Sequence, residues 1–387
     1  MRVAFYAPLK PADHPVPSGD RQLARALLQA LRAGGHEPFV ASRFRSYDRT
    51  GDPARQARLR EVGGRLAQRL VDRYRSASAR PDVWFTYHVY HKAPDWLGPA
   101  VSRALEIPYV VAEASVAAKQ RDGVWAIGYQ GSVAAIETAA ATISLNPVDL
   151  AGIRRIRGAA SADAFVPPFL DLAALTGPTA EDVANVPARG TRVRLITVAM
   201  MRPGAKLASY RLLAAALARM PFFDWELVVA GDGVARPEVE AAFAPFAPEQ
   251  VRFVGFQAAS SVAAWLRASD VYVWPAIDEA FGMAFIEAQA CGLPVVAGDG
   301  GGVGAVVRSG RTGLLVPVGD AEAFATATCR LLTDAGLRRQ MAEAAPVYAR
   351  AEHDLPVAAA RIDAVLRSVT DRGALRAGTG VIPAAAR

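Results

Sequence analysis

The sequence predicts an α/β protein with two Rossmann-like domains, each containing a doubly wound parallel sheet. Short apolar runs alternate with helical segments along the chain, which is typical of parallel strands joined by helices. The 387 residues exceed what a single hydrophobic core usually contains. The segment 172–190, rich in Ala, Pro, Thr and Gly, is expected to link a first domain at 1–171 to a second at 191–355. Residues 371–387 are predicted to be disordered.

The composition is that of a globular protein with a large core, with 52% hydrophobic and 21% charged residues. No apolar run is long enough to be a candidate transmembrane helix. The segment Met1–Pro8 is interpreted as the first strand rather than as a signal peptide. Cys291 and Cys329 lie in predicted helices without the spacing of metal ligands, which indicates reduced cysteines in a cytoplasmic protein.

The net charge of +7 comes mainly from an arginine-rich first half. Residues 41–80 hold eleven arginines against four acidic residues, and a helix predicted at 54–78 has arginines beside its apolar face. The favoured interpretation is a core-facing helix with a solvated basic side, and the alternative is a helix that contacts anionic lipid. No nucleic-acid-binding module accompanies the charge, so an anionic acceptor or a membrane surface is a better partner than nucleic acid.

Residues 269–298 form the most informative stretch of the sequence. Val271–Trp274 is predicted to be a buried strand, and after a loop a helix is predicted to begin at Gly282 or one residue earlier. Glu279 precedes this helix and Glu287 lies in its second turn. The start of a helix presents free backbone N–H groups to a phosphate, whereas carboxylates accept hydrogen bonds from sugar hydroxyls. The combination favours a site for a nucleotide-sugar.

This stretch resembles the glutamate-x7-glutamate signature of the retaining glycosyltransferases of family 4, which have the two-domain GT-B fold with a cleft between the domains. Glu279 and Glu287 have the spacing of the signature, and the segments 281–283 and 288–296 fit its surroundings. The resemblance implies that Glu287 binds the ribose of the donor and that Glu279 contacts the donor sugar near its anomeric carbon. It also implies a last helix, near residues 356–368, that packs back on the first domain.

The donor diphosphate needs cations and a close backbone approach. The resemblance assigns Arg202 and Lys206, after the first strand of the second domain, to the diphosphate, and Ser18-Gly19 stands where many relatives have a Gly-Gly pair. Because these cations are present, no metal ion and no other cofactor is expected. The remaining candidate donor-binding residues lie at the helix start or after strands, and they are Phe281, Gly282, Met283, Ala284, Gly231 and Phe256.

The first domain is predicted to bind the acceptor through the loops that follow its strands. Many relatives in the family place a histidine after one of these strands, close to the transferred sugar. Here the strand predicted at Ile107–Ala112 runs into Glu113 instead. Either His88 or His91, from the neighbouring loop, or Glu113 itself is expected to take that role. The candidate acceptor ligands are His91, Lys92 and Lys119.

The sequence therefore predicts a cytoplasmic, metal-independent glycosyltransferase that moves a sugar from a nucleotide-sugar to a glycan, lipid-linked or small-molecule acceptor with retention of configuration. The basic helix leaves open a peripheral location at the inner face of the membrane. Two other hypotheses remain. A GT-B sugar-nucleotide epimerase would share the donor site without needing an acceptor, and an inactive homologue would act as a binding or scaffold subunit.

Overall fold

The computed structural model describes residues 1–378 except 17, 77, 79, 159–161, 176–178, 189 and 222–223, with the backbone alone for 372–378. The chain forms two compact units. Unit 1 contains Met1–Val166 and the segment that begins at Leu355, and unit 2 contains Pro167–Asp354. Within the described part of the chain, no helix combines the length and the hydropathy that a bilayer crossing requires.

Unit 1 is a parallel sheet of six strands in the order β2-β1-β3-β4-β5-β6. The strands are β1 (Arg2–Tyr6), β2 (Glu37–Ser42), β3 (Val83–Val89), β4 (Tyr109–Ala114), β5 (Ala141–Ser144) and β6 (Ala162–Phe165). The helices are α1 (Gly19–Ala33), α2 (Pro53–Tyr74), α3 (Gly98–Leu105), α4 (Ala126–Thr138) and α5 (Pro147–Arg157). The reversal of strand order next to β1 creates a topological switch point, which is where ligands of such sheets bind.

The first two helices begin at residues whose side chains cap them. Ser18 accepts a hydrogen bond from the backbone N–H of Arg21 at the start of α1. Asp52 accepts one from the backbone N–H of Ala54 at the start of α2, and Pro53 occupies a first-turn position where no N–H is needed. The sequence therefore sets the start of α1 in the loop that follows β1.

The basic helix α2 has its arginines on the solvent side. Arg58, Arg65, Arg69 and Arg73 are exposed, whereas the apolar positions of the helix are buried or half-buried. This arrangement fits the core-facing interpretation of the sequence pattern. Contact of the basic side with a membrane stays a prediction.

Unit 2 is a second parallel sheet of six strands, in the order β12-β11-β10-β7-β8-β9. The strands are β7 (Val193–Val198), β8 (Trp225–Ala230), β9 (Val251–Gly255), β10 (Val271–Trp274), β11 (Val295–Gly298) and β12 (Gly313–Val316). The helices are α6 (Ala180–Ala184), α7 (Ala205–Leu217), α8 (Arg236–Phe243), α9 (Ala259–Arg267), α10 (Met283–Ala290), α11 (Val303–Val306), α12 (Ala321–Thr333) and α13 (Ala335–His353). Its switch point lies between β7 and β10.

The predicted linker at 172–190 is not an isolated connection. It contains a 3-10 helix at Leu172–Leu175 and the short helix α6, both within unit 2. Thr179 and Asp182 form a reciprocal capping box, and Asp182 also accepts a 2.5 Å hydrogen bond from the Ser261 hydroxyl in α9. These hydrogen bonds fix the start of α6 and join it to α9, and the division between the units falls after Val166.

The last helix, α14 (Leu355–Gly378), belongs to unit 1 and packs against α1. It is longer than the predicted helix at 356–368, so residues 371–378 continue α14 instead of beginning a disordered tail. Residues 379–387 of the predicted tail lie outside the described part of the chain.

Two strands of unit 1 extend further along the chain than the sequence predicted. The strand expected to stop at Ala112 continues to Ala114, so Glu113 lies inside β4. The sequence also placed His88 in a loop, but β3 continues to Val89, so this histidine lies inside the strand. Both residues have a positive φ, 65° at His88 and 54° at Glu113, a conformation that a sequence pattern does not reveal.

Gly63→Ala should lower the free energy of unfolding by about 1–3 kcal/mol, since overpacking is destabilising. A methyl group at Gly63 in α2 would lie 2.4 Å from Cβ of Trp96. The adjacent Gly64 is exposed and has no atom within 4 Å of an added Cβ. Gly64→Ala should therefore stabilise the protein by about 0.5–1 kcal/mol through helix propensity. Urea unfolding of both variants is the measurement, and equal effects would contradict the packing of α2 on Trp96.

Candidate active site

In unit 2, an ion pair joins the two loops that flank the switch point. Nζ of Lys206, in the first turn of α7, lies 2.5 Å from Oε2 of Glu279, in the loop after β10. The indole N–H of Trp274 donates to the same carboxylate oxygen at 3.2 Å. The Lys206 ammonium also lies 5.2 Å from the centre of the Trp274 ring, a cation–π distance. The structure thus brings together two residues that the sequence assigned separately to phosphate and sugar.

The loop that carries Glu279 is held in a strained conformation. Ala276 and Asp278 have φ values of 58° and 48°, which non-glycine residues rarely adopt. The backbone N–H of Ile277 donates a 3.0 Å hydrogen bond to the hydroxyl of Ser209 in α7, which ties this loop to the helix that carries Lys206. Strained backbone of this kind concentrates at functional sites.

A glycine-rich loop after β11 packs directly on the loop of Glu279. A Cβ atom on Gly298 would lie 2.3 Å from the carbonyl oxygen of Pro275, and one on Gly301 would lie 2.2 Å from that of Glu279. Gly302 approaches Ala280 as closely, and its N–H donates a 2.8 Å hydrogen bond to the Ala280 carbonyl. Only glycine permits these backbone contacts, so this loop determines where Glu279 lies.

The helix α10 begins with backbone amides that no side chain caps. Its N-cap is Gly282, with φ of 72°, and an added Cβ there would lie 2.3 Å from the ring of Phe285. The first N–H groups of a helix, here those of Met283 and Ala284, have no partner within the helix. Phe281 is buried just before them. This start therefore has the free donors and the positive dipole end that an anion requires.

Glu287 lies one turn further along α10, in a different environment from Glu279. It is partly buried, and removal of water by the surrounding protein raises its pKa to about 7. Glu279, by contrast, has the Lys206 ammonium as its counter-ion. The two glutamates of the signature therefore differ electrostatically, and Glu287 lacks a compensating cation among its hydrogen bonds and ion pairs in the described residues.

The other predicted donor residues lie at the same edge of the unit 2 sheet, after β7, β8 and β9. Arg202 is exposed beside the loop of Lys206. Position 231 requires glycine, since its φ is 148° and an added Cβ would lie 1.9 Å from the Ala199 carbonyl oxygen. Phe256 is 80% exposed, so its ring is open to contact with a ligand.

In unit 1, His88 and Glu113 meet in a cluster with Asp20. Nδ1 of His88 lies 3.1 Å from Oδ1 of Asp20, in the first turn of α1. The sequence predicted both His88 and Glu113 as alternatives but missed Asp20, because Ser18-Gly19 was taken as the relevant part of that loop. Gly19 has open space around it, with nothing within 4 Å of an added Cβ. A carboxylate in the first turn of a helix after the first strand was the signal available for Asp20.

Two of the predicted acceptor ligands, His91 and Lys92, lie next to Trp125, at the start of α4. The His91 ring lies 5.6 Å from the Trp125 ring, and the Lys92 ammonium lies 5.2 Å from it. Burial lowers the pKa of His91, and the charges of Lys92 and Lys119 lower it further. Nδ1 of His91 is buried without a hydrogen-bond partner among the described residues. This part of unit 1 therefore combines two lysines with a histidine held neutral. Within the described residues, no group of histidine, cysteine or carboxylate side chains has the arrangement of a metal site.

Comparison with known proteins agrees with this architecture. Residues 192–334 match the family described as Glycosyl transferases group 1. A sucrose-phosphate synthase from Thermosynechococcus elongatus superposes with a TM-score of 0.69 at 23% identity, covering 96% of this chain and all of that one. HepE of Anabaena, in complex with UDP, has a TM-score of 0.68 at 17% identity over 95% of this chain and 100% of that chain. The chain has the GT-B fold, with two Rossmann-like domains.

Curated relatives match this chain in sequence over a shorter region. The D-inositol 3-phosphate glycosyltransferase of Kribbella flavida is 39% identical over 148 residues, which are 36% of this chain and 35% of the relative. That of Salinispora arenicola is 33% identical over 210 residues, 48% of this chain and 45% of the relative. The aligned region thus spans about a third to a half of the curated relatives.

Glu287 should make the stability of the protein depend on pH. Its pKa rises from 4.5 to about 7 on folding, so the folded state binds more protons between these values and stability falls as pH rises through this window. Glu287→Gln should therefore raise the free energy of unfolding at about pH 8 by up to about 3 kcal/mol and change it little near pH 4. Denaturant unfolding at both pH values is the measurement. Glu343→Gln, at an exposed position of α13, is the matched control, and the same pH dependence in both variants would refute the assignment.

Proposed function

We propose that the protein is a retaining, metal-independent glycosyltransferase that takes its sugar from a nucleoside diphosphate sugar. The observation that carries the proposal is the Lys206–Glu279 pair beside the open start of α10, at the switch point of unit 2. Cation, free amides and carboxylates in one place suit a ligand that is part phosphate and part sugar. The match to the group 1 glycosyl transferases covers this same region, and a neighbour in fold is known in complex with UDP.

In the proposed mechanism, the donor diphosphate lies against the start of α10 and within reach of Lys206. Departure of the nucleoside diphosphate increases negative charge on the phosphate, and Lys206, Arg202 and the α10 amides stabilise that charge. Lys206 and Arg202 supply the positive charge that a divalent metal ion would otherwise supply. Glu287 accepts hydrogen bonds from the ribose, and Glu279 orients the sugar. Retention of configuration is supported by the glutamate-x7-glutamate signature that these two residues form.

Unit 1 is proposed to bind an anionic acceptor. Lys92 and Lys119 bring positive charge close to His91, and the pKa of His91 is lowered by burial and by these lysines, so its ring is a neutral hydrogen-bonding group. The curated relatives are named for D-inositol 3-phosphate, and a phosphorylated acceptor is a ligand that these cations would bind. An unphosphorylated polyol would gain nothing from the two lysines.

A donor screen followed by product analysis tests this function. One of UDP, GDP or ADP should raise the apparent melting temperature, because a ligand that binds only the folded state stabilises it. Glu287→Gln should bind that nucleotide about tenfold or more weakly, since a charged acceptor is lost. Release of the nucleoside diphosphate should be faster with phosphorylated than with unphosphorylated acceptors, should survive EDTA, and should give a product with the anomeric configuration of the donor.

Three outcomes of this screen would contradict the proposal. A donor converted to its epimer without any acceptor would identify a sugar-nucleotide epimerase. Nucleotide binding without turnover on any acceptor would favour an inactive homologue. Loss of activity on chelation, restored by magnesium or manganese, would show that the cationic loop is not sufficient.

Lys206→Ala should lower turnover by about 10²–10³-fold and weaken donor binding less, because the phosphate gains charge in the transition state. This variant also removes the counter-ion of Glu279. The double variant Lys206→Ala/Glu279→Gln therefore separates the loss of the cation from the effect of an uncompensated carboxylate. Steady-state kinetics on folded variants is the measurement. Arg211→Ala, a cation further along α7, is the control for a general change of charge. Near-normal turnover of Lys206→Ala would exclude Lys206 from the reaction.

A further inference from the structure

Trp274 is the last residue of β10, and its side chain contacts both ionisable residues of the unit 2 site. The indole is buried, with only 2% of the residue exposed. The side chains of Lys206 and Glu279, by contrast, keep 29% and 16% of their surface exposed. A ligand can therefore reach the two ionisable side chains, whereas the indole is closed off from solvent.

The indole binds the two residues through different parts of its surface. Its N–H, on the edge of the ring, donates a 3.2 Å hydrogen bond to Oε2 of Glu279. Its ring faces the ammonium of Lys206, with Nζ 5.2 Å from the ring centre. The edge of an indole is a hydrogen-bond donor and its face attracts cations. One planar side chain thus contacts a carboxylate and an ammonium at the same time.

One face of α7 packs against the indole and against the loop that follows it. Lys206, Ser209 and Tyr210 are three and four residues apart, so they lie on the same side of this helix. The Tyr210 ring packs edge-to-face on Trp274, with the ring centres 4.9 Å apart. The Ser209 hydroxyl accepts a hydrogen bond from the N–H of Ile277, three residues after Trp274. Packing on α7 therefore determines the orientation of the indole.

Both donors to Glu279 bind the same carboxylate oxygen. Nζ of Lys206 lies 2.5 Å from Oε2, and the indole N–H of Trp274 donates to Oε2 as well. A carboxylate oxygen has about two acceptor positions, so these two donors occupy Oε2. The other oxygen, Oε1, is then the one that accepts a hydrogen bond from a ligand. The two donors therefore determine how the carboxylate is oriented.

We propose that Trp274 is a positioning residue for glycosyl transfer, which fixes the orientation of the Glu279 carboxylate. In the proposed mechanism the Lys206 ammonium also binds the donor phosphate, and an ammonium on a flexible stem is then shared between two anions. The indole N–H is neutral and buried, so it donates to Glu279 in the free protein and in the donor complex alike. The proposal rests on the proposed function, because that function assigns Glu279 to the donor sugar.

NMR of the indole N–H groups in the full chain tests the hydrogen bond without requiring activity. The chain has six tryptophans, which give six indole resonances after labelling with nitrogen-15. Glu279→Gln should move one of these proton resonances upfield, because a neutral amide oxygen is a weaker acceptor than a carboxylate. Trp274→Phe should remove that same resonance, and Asp278→Asn, at an exposed neighbouring position, should leave it in place. A folded Glu279→Gln variant in which no indole resonance moves would overturn the proposal.

A double-mutant cycle on kcat distinguishes positioning from a purely structural role. Trp274→Phe keeps an aromatic ring but loses the N–H, so kcat should fall about tenfold or more while the KM for the acceptor stays unchanged. In the Glu279→Gln background the same substitution should lower kcat less than about twofold, because Trp274 acts through Glu279. Trp225→Phe, at the start of β8 and thus at the opposite edge of the same sheet, is the control and should leave kcat unchanged. Equal factors in both backgrounds would show a structural role and overturn the proposal.

The two measurements separate this proposal from the proposed function. A wild-type protein that transfers no sugar to any acceptor would remove the proposed function, and the NMR result alone would then decide whether Trp274 orients Glu279. Sugar transfer with an unchanged kcat in a folded Trp274→Phe variant would do the reverse, since the function would stand and the role of Trp274 would be overturned.

Discussion

The close contact between two loop backbones is the constraint on which the unit 2 site depends. The glycines after β11 leave room for the carbonyl oxygens of residues 275, 279 and 280, and any side chain at Gly298, Gly301 or Gly302 would push that loop away. With the loop in place, Glu279 meets Lys206, and the chain enters α10 through the left-handed Gly282 with its first amides free. The chemistry of the site is therefore a consequence of backbone packing more than of any single side-chain contact.

The switch points of the two sheets carry different sets of charged side chains. At the switch point of unit 2, Lys206 and Glu279 form an ion pair whose opposite charges compensate each other. At the switch point of unit 1, His88 lies among Asp20, Glu113 and Asp149, so acidic groups are in excess. An excess of carboxylates repels a phosphate and accepts hydroxyl hydrogens. The two switch points therefore differ in their electrostatic character, although both sheets are parallel and have six strands.

Local features of the sequence predicted most of unit 2 but less of unit 1. The strand, loop, helix and strand around Glu279 and Glu287 follow from apolar runs, a glycine and a proline, all within 30 residues. The cluster of His88 and Glu113 depends on two left-handed residues placed side by side by strand register, which no local pattern encodes. Asp20 was missed for a different reason, because the prediction for the loop after β1 rested on Ser18-Gly19. The 172–190 segment is predicted to be a linker from its composition, which does not reveal the capping box of Thr179 and Asp182 at the start of α6.

Glu279 and Glu287 differ in how the protein compensates their charge, and this difference affects the stability of the free protein. Glu279 has the Lys206 ammonium as its counter-ion, whereas burial raises the pKa of Glu287 to about 7, and Glu287 forms no ion pair within the part of the chain that the structure describes. Ionised Glu287 therefore destabilises the free protein, and ribose hydroxyls would replace the water that folding removed. A neutral side chain at 287 would give a more stable and weaker-binding protein, which is the usual exchange of stability for function at an active site. Under the proposed function, hydrogen bonds from the ribose hydroxyls would offset the cost of burying the Glu287 carboxylate.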